Sequence, residues 1–214
     1  IGLGGIAKGV HLTGIQRSPH LRLTAICDID EEQLMAVGNL YHIPNNRRFT
    51  DYQELLACKE VDAVDICTPN DSHYEIALSA AKAGKHVICE KPVEITLERI
   101  DAMIEAHAKA GTRLGGIFPY RFNDMMVPLR EAIRSGRFGT ITCASVYVPW
   151  WRTDAYYEGS WHGTVKLDGG GALMNQSIHM VDMLCDLMPP VESVQAYTAT
   201  LGHKIETEDT AVAA

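Results

Sequence analysis

Two residues of this sequence stand where their side chains could move a proton. Lys91 lies between Glu90 and Pro92 at the end of an apolar run, and His179 follows a run of three glycines on a helical stretch. A lysine at a strand end can hydrogen-bond a substrate hydroxyl and stabilise developing alkoxide charge. An imidazole titrates near neutral pH and can take or give the hydroxyl proton. Asn175, His179 and Asp182 fall at i, i+4 and i+7, on one face of a helix. That spacing would set a substrate-binding amide, a proton carrier and a carboxylate to orient it side by side. Two other readings stay open on the residues alone: a surface Lys before a Pro, and a hydrogen-bonded core histidine. Pro92 fixes a turn after Lys91, for which a cis bond is plausible.

A second group of residues could hold a nucleotide. Gly2-Leu3-Gly4-Gly5-Ile6-Ala7 fits G-x-G-x-x-[G/A], in which glycines allow a tight turn and close backbone approach to a pyrophosphate on a helix N-terminus. Asp28 ends the next strand about 20 residues on, where a carboxylate can accept from both ribose hydroxyls and would repel a 2′-phosphate. NAD is therefore expected, with NADP possible. Thr68-Pro69-Asn70 lies at the carboxyl end of another strand, the edge where open α/β sheets bind ligands. A plain glycine turn, a strand-ending Asp and a Pro-Asn turn before a helix are the alternatives. Among the later aromatic and basic residues, Arg121 and Trp161 are candidates for the substrate side, since aromatic faces pack on sugar rings and Arg binds hydroxyls or carboxylates.

These residues need elements to place them. Leu21 to Cys27, Val61 to Cys67, His86 to Cys89 and Thr112 to Phe118 read as strands. The helices between them have start signals at Asp30 with Gln33, Thr50 with Gln53, Ser72 with Glu75, and Thr96, and stop signals at Gly84 and Gly111. Strands alternating with helices over short loops imply parallel pairing and a doubly wound sheet. After residue 119 the rhythm changes: a helix from about Asp124 to Ser135, a long strand Ile141 to Val148, an aromatic stretch, a helix through Leu187, and a strand Val191 to Thr200. The fold class is thus α/β, with a Rossmann-type domain over 1–119 and an α+β domain with an open, largely antiparallel sheet over 120–214. A glycine turn at the first residues and a strand-like run at Asp209 to Ala214 suggest that the record is cut at both ends.

Composition narrows the partners. The 214 residues carry a formal net charge of -8 with 46% hydrophobic residues, the balance of a globular protein with a real core. No basic stripe suggests nucleic acid, and no apolar run suggests a membrane span. The six cysteines are scattered without a C-x-x-C pair, so buried free thiols in a reducing cytoplasm are expected, and no metal site.

Taken in order, Gly2-x-Gly4-x-x-Ala7, Asp28, Thr68-Pro69-Asn70 with His73, Glu90-Lys91-Pro92, and Gly169-Gly170-Gly171-Ala172-Leu173 leading to His179 and Asp182 resemble the Gfo/Idh/MocA family. The family is named for glucose–fructose oxidoreductase, inositol dehydrogenase and a rhizopine-catabolism protein. The resemblance implies a Rossmann domain binding NAD(P) through Gly2, Gly4, Gly5, Ile6, Ala7, Asp28, Thr68, Pro69, Asn70, His73, Glu90 and Lys91. It implies a second domain that often builds dimers or tetramers, and catalysis by the Lys of E-K-P with a D-x-x-x-H helix pair. Here the aspartate is Asn175 and a usual glycine is Ser177. Asparagine exchanges no proton at neutral pH, which leaves base duty to His179 or Lys91 and confines Asn175 to binding.

The expectation is an NAD(P)-dependent oxidoreductase acting on a secondary alcohol of a sugar, sugar derivative or cyclitol. Its catalytic residues would be Lys91, His179 and Asp182, and its substrate-binding residues Arg121, Trp161, Asn175 and His179. An NAD-dependent glycosidase or lyase, and a non-catalytic cofactor sensor, are the alternatives; the presence of both Lys91 and His179 argues against the sensor.

Overall fold

Short apolar runs separated by helices can pair only in parallel, because each connection must cross over the sheet. In the computed structural model, which describes residues 1–214, β1 (Ile26–Cys27) pairs in parallel with β2 (Arg48–Phe49). β3 (Ala63–Ile66), β4 (His86–Cys89) and β5 (Leu114–Gly116) form a three-stranded parallel sheet in that order. The first two residues join these pieces. The Ile1 amino group donates to the Asp65 carbonyl, the Ile1 carbonyl accepts from Cys67 N–H, and Gly2 N–H donates to the Cys27 carbonyl. The order across the layer is β2, β1, residues 1–2, β3, β4, β5, so the direction of winding reverses beside Ile1. Ligands of doubly wound sheets bind outside the carboxyl ends of the strands at that reversal.

The helices between are α1, a π-turn over Ala7–His11 running into α-helix over Leu12–Arg17, then α2 (Glu31–Leu40), α3 (Tyr52–Leu56), α4 (His73–Lys82) and α5 (Leu97–Ala110). Asp30 caps α2 through Gln33 N–H as expected. α3 is capped by Asp51 and not by Thr50, because the Asp51 carboxylate accepts from Gln53 N–H at 2.8 Å. Ser72 caps nothing: a 3-10 turn over Asn70–Ser72 already winds its backbone, and its hydroxyl donates backward to Thr68 Oγ1 and Pro69 O. Gly84 and Gly111 end their helices at φ +72° and +69°, where a side chain would be strained.

One core cluster packs Leu55, Ile66, Ile76, Ala77, Val87 and Met103; a second joins Leu3 and Leu12 to Ile26, Leu34 and Val37. Each large aliphatic residue so buried contributes roughly 1.5–3 kcal/mol. His107 is sealed in as well, its ring nitrogens against Thr112 Oγ1 and the Ala77 carbonyl, and burial pushes its pKa down. The strand expected over Leu21 to Cys27 is only two residues long, since β2 offers a ladder of that length.

The chain divides after Ile117 into a second unit, Phe118–Ala214. It holds α6 (Met126–Arg134), α7 (Asp154–Tyr157), α8, and an antiparallel pair, β6 (Ala196–Ala199) with β7 (Thr210–Ala213). α8 is a π-turn over Ala172–Ser177 continuing as α-helix over Ile178–Leu187. Arg130 binds Asp186 and fastens α6 to α8. The long strand expected over Ile141 to Val148 is absent: β6 and β7 pair with each other, and an extended run without a hydrogen-bonded neighbour is not a strand. Cys143 and Cys185 are exposed, against the expectation of burial, while Cys27, Cys58 and Cys89 are buried, and all six are free thiols.

The turn between β6 and β7 is built on Asp209. Its carboxylate accepts from the N–H groups of Leu201, Gly202 and His203 and from the Thr210 hydroxyl. Burial opposes its charge, but the Leu201 and Gly202 amides, His203 and Thr210 more than offset this and hold its pKa well below the usual range. A depressed carboxylate stabilises the fold above its unfolded pKa, about 4, and loses that contribution as pH falls toward the folded value. Thermal melts across the acid range should therefore show the second unit weakening below about pH 4. Asp209→Asn should flatten that limb and lower neutral stability by about 2 kcal/mol; an acid limb unchanged in the variant would reject this role.

Candidate active site

The glycine-rich turn opens the first unit at the reversal of strand order. Gly2 has φ +82°, and a Cβ there would lie 2.8 Å from the backbone of Cys67 and Thr68, so glycine is required by both conformation and space. Gly4 and Gly5 differ: a Cβ on either meets nothing within 4 Å. Their open face, at the start of α1 and beside the reversal, fits the diphosphate of a dinucleotide. Asp28 Oδ2 accepts from Leu3 N–H at 2.6 Å and from the Gln33 amide, and Oδ1 accepts from Asp30 N–H. A carboxylate offers about four lone-pair sites, so Oδ1 keeps capacity for one ribose hydroxyl and not for two. Gly2→Ala should cost roughly 1–3 kcal/mol from φ alone, plus the backbone collision. Gly84→Ala, equally left-handed but in open space, should cost only the first part. Equal urea midpoints for the two variants would contradict the close approach.

The two turns that follow β3 and β4 are tied together from inside. His73 is fully buried, with Nδ1 3.0 Å from the Pro92 carbonyl and Nε2 2.9 Å from the Thr68 carbonyl. Sealed and bonded to both turns, the ring positions Thr68-Pro69-Asn70 against Lys91-Pro92. Asn70 is buried at 3% exposure, and the Lys91–Pro92 bond is cis, as Pro92 suggested. Glu90 is also tied into these turns. Its carboxylate points inward, with Oε1 2.8 Å from His11 Nε2 and Oε2 accepting from Lys91 N–H at 2.9 Å.

His11 was not singled out by sequence reasoning. Its Nδ1 lies 2.7 Å from Asp65 Oδ2 and 3.5 Å from Cys67 Sγ. Hydrogen bonds to Asp65, Cys67 and Glu90 push its pKa up to about 12 against the opposing effect of burial. Burial would lift Glu90, but His11 and the Lys91 amide hold its carboxyl below the usual range. The available signal was Asp65, a carboxylate inside an otherwise apolar strand, matched by a histidine on the first helix.

In the second unit the glycine triplet has a packing cause. Gly169 has φ +78°, and a Cβ on Gly171 would stand 1.8 Å from the Glu208 carbonyl oxygen. The Glu208 carbonyl accepts from Ala172 N–H at 2.7 Å, and its carboxylate accepts from the N–H groups of Gly171 and Leu173. This places a negative charge on the amides that open α8. The π-turn breaks the helical register expected for Asn175, His179 and Asp182. Asn175 is buried, its amide donating to Asp168 Oδ1 at 2.6 Å, with His162 Nδ1 at 3.4 Å. Asp168, which also accepts from Gly163 N–H, was missed in the sequence because nothing in its spacing marks it.

His179 opens the α-helical part of α8, with the rings of Tyr120 and Phe118 at 5.4 and 6.3 Å. Both oxygens of Asp182, the carboxylate expected to orient the His179 imidazole, accept from the Arg121 guanidinium. The same pair fastens the 119–122 turn onto α8. The Trp161 ring lies 3.9 Å from that of His162, which stacks on Tyr156 at 4.2 Å.

Known proteins share these features. Residues 1–117 match the family described as "Oxidoreductase family, NAD-binding Rossmann fold", and residues 126–214 match its "GFO/IDH/MocA C-terminal domain". D-glucoside 3-dehydrogenase of Escherichia coli is 34% identical over 92% of this chain and 56% of its own length. Myo-inositol 2-dehydrogenase of Thermotoga maritima is 34% identical over 65% of this chain and 41% of its own. Among solved structures, the WlbA dehydrogenase of Bordetella pertussis, in complex with NADH and UDP-GlcNAcA, is 40% identical with a TM-score of 0.92. It covers 99% of this chain and 60% of that one. The chain thus spans about two fifths to three fifths of the length of these relatives. No helix is long and apolar enough to cross a membrane.

Proposed function

Because the chain belongs to the GFO/IDH/MocA oxidoreductase family, we propose that it oxidises a secondary alcohol of a nucleotide-linked sugar acid of the UDP-GlcNAcA kind, with NAD. The observation that carries the substrate class is the likeness, at 40% identity over 99% of the chain, to a dehydrogenase held with NADH and UDP-GlcNAcA. Bound NAD supplies two-electron oxidation at the carbinol carbon. Gly4 and Gly5 receive its diphosphate, Asp28 a ribose hydroxyl, and Thr68, Pro69 and Asn70 line the same strand edge.

Lys91 donates to the reacting hydroxyl and, when neutral, takes its proton. In the second unit His179 is the other candidate proton carrier, and Asn175 can only bind, since an amide carries no proton at neutral pH. The charge of Asp28 disfavours a 2′-phosphate. Asp28→Asn should narrow the preference for NAD over NADP by about tenfold, read from the two dissociation constants; an unchanged ratio would contradict that role.

The test is a substrate panel read by NADH absorbance, with UDP-GlcNAcA, free inositols and simple glucosides. Turnover should be confined to the nucleotide sugar acid or be fastest there. Oxidation of an inositol with no response to UDP-GlcNAcA would overturn the substrate, and a wholly silent panel would overturn the dehydrogenase.

A further inference from the structure

We propose that His11 is a positioning residue: as a cation held between Asp65 and Glu90, it fixes the Glu90–Lys91 turn and sets the charge that Lys91 meets. This rests on the reading of Lys91 as proton carrier. Three elements meet at the reversal of strand order, with His11 on α1, Asp65 on β3 and Glu90 directly after β4. Each ring nitrogen faces a carboxylate, at 2.7 Å for Asp65 and 2.8 Å for Glu90. The second oxygen of Glu90 accepts from the backbone N–H of Lys91. A continuous chain of hydrogen bonds therefore runs from β3 through the imidazole to the lysine.

A histidine that merely filled space would not need two charged partners. Two carboxylates this close would repel without a cation between them, and the imidazolium leaves the triad with one net negative charge. The ionisable groups around it are Asp65, Glu90, the Cys67 thiol, the buried Cys89 thiol beyond, and Lys91 itself, whose charge also lowers Glu90. His11, Asp65 and Cys67 also bring donor atoms within 4.8 Å of one another. A ring protonated on both nitrogens has no lone pair for a metal, so the group acts as an ion network.

Removing the cation makes the surroundings of Lys91 more negative and raises its pKa, so more alkali is needed to free it as a base. The test is the pH dependence of kcat/KM for alcohol oxidation in four full-chain proteins: wild type, His11→Gln, Asp65→Asn, and the double variant. His11→Gln should move the rising limb up by about one pH unit, cutting the rate near neutral pH while leaving the alkaline plateau. Asp65→Asn alone should move it down. The double variant, which restores the single negative charge, should return it toward wild type.

A loss that is uniform across pH, or a limb that Asp65→Asn does not bring back, would overturn the proposal. If His11→Gln fails to fold, the downward shift in Asp65→Asn decides alone, and its absence refutes the idea. Lys91→Met separates the two readings. If that variant keeps its turnover, the reading of Lys91 falls and this inference falls with it; if it is inactive while the His11 and Asp65 profiles do not move, only this inference falls.

Discussion

Lys91→Met is expected to abolish turnover while NAD still binds. Methionine keeps the unbranched stem and much of the volume of lysine, so the cis Lys91–Pro92 turn can keep its shape. The anchors of that turn lie elsewhere: Glu90 bonds the backbone N–H of residue 91, and His73 bonds the Pro92 carbonyl. What goes is one ammonium, and with it the proposed donor to the reacting hydroxyl and carrier of its proton. Positioned acid–base groups are worth about 10²–10⁴ in rate, and Lys91 is asked to supply the upper part of that range. The dissociation constant for NAD should change by less than about twofold, since the glycine cradle and Asp28 are untouched. The rate that remains should also lose its rising alkaline limb. Turnover close to wild type would refute the role of Lys91, whereas joint loss of NAD binding and activity would show that residue 91 holds the cofactor.

Gly171→Ala should be the most destabilising conservative change in the second unit. Its new methyl would lie 1.8 Å from the Glu208 carbonyl oxygen and 2.8 Å from the carbonyl carbon, and backbone on both sides is pinned. Ala172 N–H binds that same oxygen, and the Glu208 carboxylate holds Gly171 and Leu173. Relief requires separating the start of α8 from the segment before β7, which breaks these bonds together. Overpacking costs about 1–3 kcal/mol and charge-assisted hydrogen bonds about 1.5–3 each, so a loss of roughly 3–5 kcal/mol is expected. That corresponds to a melting temperature lower by more than about 10 °C. Gly136→Ala, at positive φ where Gly171 is not, but facing open space, is the control and should lose far less. Equal melting of the two variants would contradict the packing account of the glycine triplet.

Local backbone chemistry was readable in the sequence because single residues decide it. Gly84 and Gly111 closed helices, Asp30 opened one, and Lys91–Pro92 took the cis form, all from side-chain chemistry within a few residues. Ser72 misled because its hydroxyl had a nearer use on the preceding turn. Extent of pairing was less legible: Ile141 to Val148 has strand composition, but composition names no partner for the ladder. The site divided in the same way. Gly2, Gly4 and Gly5 carry a local pattern, whereas the tie from His11 to Asp65 and Glu90 spans three elements, and no spacing along the chain encodes it. His73 and Glu90 were placed at the ligand by resemblance, and only burial shows that they hold the turns from behind.

The proposed function requires that carbon–hydrogen bond cleavage at a substrate carbinol deliver its hydrogen to nicotinamide. The most direct measurement follows deuterium from the best substrate of the panel, labelled at each carbinol carbon in turn, with the full chain and NAD. One label is expected to appear in NADH, seen by mass, together with a slower rate for that substrate. Deuterium that stays in the sugar from every position, or that is lost to water, would contradict the account.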